Sequence, residues 1–291
     1  MKVALFGKRF DDDFASHVQR LISSLLDRGV NLVVDGRFLK FLHTKIGHLP
    51  EIPDYQSFNE VKDVDFIISI GGDGTLLETA TLVREREIPV LGINTGRLGF
   101  LSLVDVDMIE QAVEALHSGR FAIDKRTLLQ VSSEGFHFGG FPFALNELTV
   151  INSRRNSMIA VHTYVNDEYM NTYWADGLVV ATPTGSTAYS LSCGGPIVMP
   201  DSGNFLITPI APHNLNARPF VLPDRYRITL KPEGRDNSFQ VNLDSRSFNL
   251  DGGHKLEITL APFGFNLVNL HGQTFFTTIR NKLGWGLDKR N

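Results

Sequence analysis

Cysteine is nearly absent from this sequence of 291 residues, and long apolar runs are absent altogether. The single cysteine, Cys193, excludes an internal disulfide and suits a reducing compartment. The apolar run Val3–Phe6 near the N-terminus is too short for the core of a secretion signal, and no later run approaches a membrane span. We therefore expect a soluble, cytoplasmic protein.

An excess of either charge is also missing. The 28 basic and 32 acidic residues give a net charge of -4, so we expect neither nucleic-acid binding nor binding to an acidic membrane. The nine histidines show no H-x-x-x-H spacing, and no dedicated metal cage is visible.

Two common glycine motifs of nucleotide-binding proteins do not occur. Without G-x-x-x-x-G-K-[ST] the chain lacks a Walker-type site, and without G-x-G-x-x-G after a strand it lacks the usual fingerprint of a nicotinamide-dependent dehydrogenase.

The chain is long enough for two domains, and its first third alternates strand-like and helix-like segments. Apolar runs predict strands, and the 3.6-residue spacing of apolar side chains predicts helices between them. This alternation predicts an α/β domain with a parallel sheet. The predicted strands are Val3–Phe6, Asn31–Asp35, Asp65–Ile70 and Pro89–Ile93. Helices are predicted at Thr75–Arg86 and where apolar stripes occur, at Val18, Leu21, Ile22, Leu25 and Leu26 before Gly29 and at Ile109, Ala112, Val113 and Leu116 before Gly119.

From about Asp124 the pattern changes to strands separated by turns, which predicts a mainly antiparallel, β-rich domain. We place the α/β domain at residues 1–123 and the β-rich domain at 124–274, with a helix at 275–291 returning to the first domain. The predicted strands of the second domain include Leu128–Ser132, Ala144–Ile151, Ile159–Val165, Leu178–Ala181, Tyr226–Leu230, Phe239–Leu243 and Lys255–Leu260.

A glycine-rich turn, Gly71–Thr75, lies where a buried strand is predicted to give way to a helix. Ligands of open α/β sheets bind at such places, and glycines let the backbone approach a phosphate closely. A carboxylate, Asp73, in that position indicates metal binding or proton abstraction from an attacking hydroxyl. The alternative is a tight turn in which Asp73 caps the next helix.

Small hydroxyl residues are dense between Thr182 and Ser192, after an apolar strand. They are suited to binding anions or sugar hydroxyls at a helix N-terminus that could open at Thr187–Leu191. Tyr189 offers a ring for stacking and a hydroxyl for hydrogen bonding. The alternative is a hydroxyl-capped loop with Tyr189 in the core.

The pair Asn146-Glu147 interrupts an otherwise apolar strand. Neighbouring strand residues face opposite sides, so one of the two should face packed material unless the backbone bulges. A carboxylate there must be paired or functional, because an unpaired buried charge is costly. An edge strand with both side chains solvated is the alternative.

Together these segments resemble the NAD kinase family, in the family's order and over about Asp65 to Asp244. Two further stretches, Leu91–Phe100 and Thr208–His213, are similar to other motifs of that family. The glycine turn alone is shared with diacylglycerol and sphingosine kinases, so the segment Asp176–Ser192 makes the resemblance specific.

The resemblance implies a site in a cleft between the two domains, NAD and ATP as substrates, Mg²⁺ or Mn²⁺ on the phosphates, and a homodimer or homotetramer. Asp73 would be the general base for the adenosine 2′-hydroxyl. The other implied binding residues are Gly72 and Gly74 at the phosphates, Phe100 and Ala211 as apolar contacts, Asn146 and Glu147 at the adenosine, Asp176, and Thr187, Ala188, Tyr189, Ser190, Leu191 and Ser192 around the nucleoside.

Two positions depart from the family's pattern. Trp174 stands where many members carry a basic residue two positions before the Asp-Gly pair, and Asp244-Ser245-Arg246 stands where many read Asp-Gly-Gln. We expect contacts with NAD to differ at both positions. The rival functions are a lipid kinase of the diacylglycerol kinase type and a non-catalytic dinucleotide-binding regulator.

Overall fold

The computed structural model describes residues 1–47, 49–96, 99–153, 158–235 and 237–285. Arg97 and Leu98 of the stretch Leu91–Phe100 lie outside these residues, as do residues 286–291 of the predicted C-terminal helix. The chain forms two compact units. One comprises Met1–Lys125 and the chain from Phe265 onward, and the other is Arg126–Gly264.

The first unit is an α/β layer, as predicted. Its elements before residue 121 are β1 (Lys2–Gly7), α1 (Ala15–Asp27), β2 (Asn31–Asp35), α2 (Gly36–Ile46), β3 (Asp54–Tyr55), β4 (Phe66–Ile70), α3 (Asp73–Val83), β5 (Val90–Ile93) and α4 (Ile109–Ser118). These strands and the last part of β17 (Leu256–Leu270) pair in parallel in the order β17-β5-β4-β1-β2-β3. Strand β4 is almost wholly buried, which explains why its sequence is apolar on both faces.

The second unit is β-rich and antiparallel, also as predicted. Strands β13-β12-β11-β8-β15-β16 form one sheet, and β10, β9, β14 and the first part of β17 pair in that order. The remaining elements are β6 (Phe121–Ser132), β7 (Phe143–Ala144), β8 (Glu147–Asn152), β9 (Ile159–Val165), β10 (Glu168–Ala175), β11 (Gly177–Ala181), α5 (Tyr189–Ser192), β12 (Asn204–Ile210), β13 (Phe220–Pro223), β14 (Ile228–Glu233), β15 (Ser238–Leu243), β16 (Arg246–Asp251), β17 (Leu256–Leu270) and α6 (Phe275–Leu283).

Strand β17 explains where the chain rejoins the first unit. It runs for 15 residues, and Leu267 pairs in parallel with Val90 of β5. The rejoining point is therefore Gly264–Phe265, upstream of the predicted boundary at residue 274, because a strand and not a loop enters the first unit.

Each unit has its own apolar core. In the first, α1 and α4 pack on the parallel strands, and in the second the two antiparallel layers enclose Leu148, Val150 and Phe239. None of the helices in the described part of the chain has the length and apolar character that a membrane crossing requires.

Candidate active site

The glycine turn of the first unit leaves its ligand-facing side open. Gly71 has a φ of +153°, and a Cβ there would overlap the hydroxyl of Thr75. Gly72 and Gly74 differ, since a Cβ on either would meet no atom within 4 Å. Helix α3 starts at Asp73, and the amides of Thr75 and Leu76 already donate to Gly72 O, at 2.9 and 3.3 Å. The amides of Asp73 and Gly74, at the very start of the helix, are those without an intrahelical acceptor. This arrangement suits an anionic group such as a phosphate.

Asp73 does not cap α3. Its Oδ2 accepts a hydrogen bond from the Phe100 amide at 2.8 Å, and its Oδ1 accepts from the amides of Leu101 and Ser102 at 3.1 and 2.9 Å. Gly99 has no side chain, and a Cβ there would overlap the Asp73 carboxylate. The capping alternative was therefore wrong, because the carboxylate turns to the loop after β5.

The remaining hydrogen-bonding capacity of Asp73 is limited. A carboxylate has about four acceptor positions, and three are occupied by amides. Among the residues that the structure describes, no other group donates to this carboxylate, so one position on Oδ2 is open to a hydroxyl group.

Phe100 lies at the same loop and is half-buried. The Lys282 ammonium of α6 lies 6.0 Å from the centre of its ring. The loop therefore combines an apolar ring with a nearby positive charge, both in the first unit.

In the second unit the pair Asn146-Glu147 forms a tight corner between β7 and β8. The predicted strand Ala144–Ile151 is interrupted here, because the amides of Leu145, Asn146 and Glu147 all donate to the Asp244 carboxylate, at 2.9, 2.8 and 3.2 Å. The carbonyl side of the corner is held as well. Thr182 Oγ1 donates to Leu145 O at 2.5 Å, and the Thr182 amide donates to Asn146 O at 2.9 Å.

The hydroxyl-rich loop packs directly on this corner. A Cβ on Gly185 would overlap the Asn146 carbonyl, so only glycine permits the close approach. Asn146 is buried, and the edge-strand alternative with solvated side chains was therefore wrong. Sequence reasoning missed both Thr182 and Asp244 as residues that hold the corner.

Glu147 is a carboxyl group with an altered proton affinity. Burial and the nearby Asp244 charge raise its pKa to about 8, against the opposing effect of a hydrogen bond from the Tyr189 amide. Its Oε2 is buried and has no hydrogen-bond partner among the described residues. Burial also raises the pKa of Asp244, although the three amides favour its ionised form. The three amides need an ionised carboxylate as acceptor, so Asp244 is the ionised member of the pair and Glu147 is the protonated one.

The hydroxyl-rich loop presents some of its predicted site residues and buries one. The structure forms a short 3-10 turn at Thr184–Thr187 and a single helical turn, α5, in place of the helix predicted to open at Thr187. Tyr189 is 43% exposed, which excludes the core alternative. Thr187, Ala188 and Leu191 are half-buried, and Ser192 is exposed.

Ser190 is the exception in this loop. It is fully buried, and its hydroxyl bonds to Thr208 Oγ1 at 2.9 Å. Its side chain therefore supports the loop from within. Cys193 lies beside Tyr189, and burial raises the pKa of its thiol.

Asp176 and Ala211 are brought together at the start of β11 and the end of β12. The Asp176 amide donates to Ile210 O at 3.0 Å, and both Asp176 and Ala211 are exposed. Ala211 has a φ of +45°, a left-handed conformation that is uncommon for a residue with a side chain and is found preferentially at functional sites. Trp174, just before Asp176, is 55% exposed.

Buried Arg126 is a further residue that sequence reasoning missed. Its Nη1 donates to Thr184 Oγ1 at 3.3 Å, so a guanidinium group supports the hydroxyl-rich loop. A lone arginine in a strand-like segment gave no sequence signal.

Two protein-family profiles together match most of the chain. Residues 3–121 match the profile described as the ATP-NAD kinase N-terminal domain, and residues 145–270 match the ATP-NAD kinase C-terminal domain. The NAD kinases of Cytophaga hutchinsonii and Flavobacterium psychrophilum are each 44% identical to this chain, over 294 and 297 aligned residues that cover 100% of both partners. The NAD kinase of Bacteroides fragilis is 40% identical over 290 residues, again covering 100% of both.

Solved structures give the same result. An NAD kinase from Archaeoglobus fulgidus in complex with ATP aligns with a TM-score of 0.74 and 28% identity, covering 98% of each chain. Yeast NADH kinase complexed with NADH aligns with a TM-score of 0.88, covering 98% of this chain and 88% of the yeast chain; at 24% identity it supports the fold alone. The chain belongs to the ATP-NAD kinase family.

Proposed function

We propose that this protein transfers the γ-phosphoryl group of ATP to the adenosine 2′-hydroxyl of NAD, giving NADP. The observation that carries the proposal is the glycine turn, where open backbone at Gly72 and Gly74 adjoins a carboxylate with one free acceptor position. Phosphoryl transfer needs mainly positioning and charge stabilisation, which such a turn supplies.

Asp73 acts as the general base. The three amides from residues 100–102 fix the direction of the carboxylate, so the remaining position on Oδ2 is presented without rotation of the side chain. A base held in this way takes the hydroxyl proton as the 2′-oxygen bonds to the γ-phosphorus and the bond from that phosphorus to the leaving ADP breaks. The amides of Asp73 and Gly74 at the start of α3 bind the phosphates.

The second unit binds the dinucleotide. Asn146 and Glu147 bind the adenosine, and the exposed ring of Tyr189 provides a stacking surface. With its proton, Glu147 donates a hydrogen bond where an ionised carboxylate could only accept one. Thr187, Ala188, Leu191 and Ser192 line the nucleoside, while buried Ser190 keeps the loop in place. Asp176, Ala211 and Phe100 complete the contacts.

A divalent cation, Mg²⁺ or Mn²⁺, would be held mainly by the phosphate oxygens of ATP and by water, as Mg²⁺ commonly is. Within the described residues no three His, Cys, Asp or Glu side chains form a metal-binding group. When bound, the cation neutralises charge on the transferring phosphoryl group. We extend the proposal to a cytoplasmic homodimer or homotetramer, as the family resemblance implies.

The Asp73→Asn variant tests the proposal. We expect a loss of NADP formation of about 10²–10⁴-fold, the usual contribution of a positioned base, with calorimetric binding of NAD retained. Asp35→Asn is the matched control, because Asp35 also accepts two amide hydrogen bonds, from Arg37 and Phe38, at the start of α2. It should lose stability without losing turnover.

Two results would contradict the assignment. A wild-type protein that phosphorylates diacylglycerol and forms no NADP from ATP and NAD would favour the lipid kinase. Tight NAD binding without turnover in Mg²⁺ or Mn²⁺ would favour the regulator.

A further inference from the structure

The turn between β15 and β16 holds the segment that leads to the Asn146-Glu147 corner. Asp244, with a φ of +52°, forms the turn with Ser245, and its amide donates to Glu147 O at 3.0 Å. Its carboxylate accepts from the three amides of residues 145–147. The turn therefore contacts the corner through both backbone and side chain.

Arg246 extends this contact upstream. Its Nη1 donates to the carbonyl of Phe141 and its Nη2 to the carbonyl of Phe143. The guanidinium carbon lies 5.2 Å from the centre of the Phe141 ring. One planar group thus fixes two carbonyls of the same strand-like segment, a geometry that the forked donors of arginine allow.

The other backbone restraints on this segment come from strand β6. Strand β7 has only two residues, and its ladder consists of the pairs Leu129–Ala144 and Gln130–Phe143, with one more hydrogen bond from the Val131 amide to Pro142 O at 2.9 Å. A strand this short gains little from its own pairing, so its position depends on side-chain contacts from elsewhere.

We propose that Arg246 is a positioning residue for the dinucleotide site, which sets the place of Asn146 and Glu147 by holding the carbonyls of Phe141 and Phe143. The Arg246 guanidinium group donates to backbone carbonyls, so the arginine that stands in place of the glutamine of Asp-Gly-Gln has a structural role. The inference rests on the proposed function, since it takes Asn146 and Glu147 to bind NAD.

The test compares Arg246→Met with a matched arginine in the first unit. Arg86 also donates to backbone carbonyls, those of Phe58, Val61 and Leu82, and lies 4.0 Å from the Phe58 ring centre; none of these three partners is a candidate site residue. We expect Arg246→Met to raise the KM for NAD about tenfold or more, because small displacements of positioning groups are costly. The KM for ATP should stay within about twofold of wild type. Arg86→Met should lower the melting temperature and leave both KM values unchanged.

Two further measurements keep the test decisive. Hydrogen exchange should speed up at the amides of residues 145–147 in Arg246→Met and not in Arg86→Met. Arg246→Gln, which keeps one donor group, should give a KM between those of wild type and Arg246→Met, and it replaces the methionine variant if that one does not fold.

An unchanged KM for NAD in folded Arg246 variants would overturn the inference, as would equal increases in the Arg246 and Arg86 variants. Failure of the proposed function is distinguishable. A wild-type protein that forms no NADP ends that proposal, while calorimetric NAD affinity and hydrogen exchange still measure the effect of Arg246.

Discussion

Asp73 and Asp244 each accept hydrogen bonds from three backbone amides of a loop distant in sequence. Hydrogen bonds to charged groups contribute about 1.5–3 kcal/mol each, roughly twice the value for neutral pairs. Each aspartate therefore stabilises one loop that carries candidate site residues. In Asp73 the same carboxylate also has the proposed chemical role.

The raised pKa of Glu147 predicts how stability depends on pH. Between the ordinary carboxyl value of 4.5 and about 8, the folded protein holds a proton that the unfolded chain releases. The contribution of this group to the free energy of unfolding is therefore fully present below pH 4.5 and is lost as the pH rises through about 8. In Glu147→Gln the free energy of unfolding, measured by urea denaturation, should fall less between pH 4.5 and about 8 than it does in the wild-type protein.

Asp35→Asn is the control for these unfolding measurements at different pH values, because it also removes one carboxylate, at the N-terminal cap of α2. An unaltered slope in Glu147→Gln would contradict the assignment of the proton to Glu147.

Sequence alone identified Asp73, Asn146 and Glu147 as unusual because polar residues interrupt glycine-rich or apolar segments. It could not identify their partners. The amides that hold Asp73 lie 27–29 residues further along the chain, and those that hold Asp244 lie 97–99 residues before it. Such pairs depend on tertiary packing, which local periodicity does not report.

Among the elements, buried strands were predicted best. Strands β2 and β9 have the predicted bounds: β2 is a short apolar run between Asn31 and Asp35, and in β9 the apolar or β-branched side chains repeat with a period of two. Helix α2 was missed, since it starts with Gly36 and continues with residues of mixed character. Strand β10 was missed because much of it is polar or exposed and gives a weak periodic signal.

The contact between the hydroxyl-rich loop and the β7–β8 corner is expected to stabilise the protein and its substrate site together. Thr182 is fully buried, and its hydroxyl accepts from the Gly185 amide at 3.2 Å while donating to Leu145 O. Thr182→Val keeps the shape and leaves both groups unpaired, which should cost about 1–3 kcal/mol of unfolding free energy. The KM for NAD should rise in the same variant.

Thr163→Val is its control, because Thr163 is equally buried but makes only a 3.4 Å hydrogen bond to Val161 O. Equal losses of stability in the two threonine variants would show that the loop contact contributes nothing specific.

At the scale of the whole molecule, the first unit is built from two separate parts of the chain, Met1–Lys125 and the residues from Phe265 onward. Composition and the change from alternating to antiparallel patterns predicted two domains of the right classes. The point of return was placed less well, because Lys255–Leu260 reads as an ordinary strand and its continuation to Leu270 has weaker periodicity.

In a chain that ends at Gly264 the first unit should therefore fail to fold. It lacks Phe265, Leu267, Val268 and Leu270, all buried, each of which contributes about 1.5–3 kcal/mol. Their sum, about 6–12 kcal/mol, is comparable to the 5–15 kcal/mol that stabilises a typical protein. Hydrogen exchange at the amides of the first unit measures the outcome, and protection equal to that of the full chain would contradict it.

The single cysteine has a practical consequence. Cys193 lies beside Tyr189, in the loop that is proposed to surround the nucleoside. A thiol-reactive fluorophore would attach at this one position without any background mutation, so the natural sequence already carries a labelling point for following ligand occupancy by fluorescence.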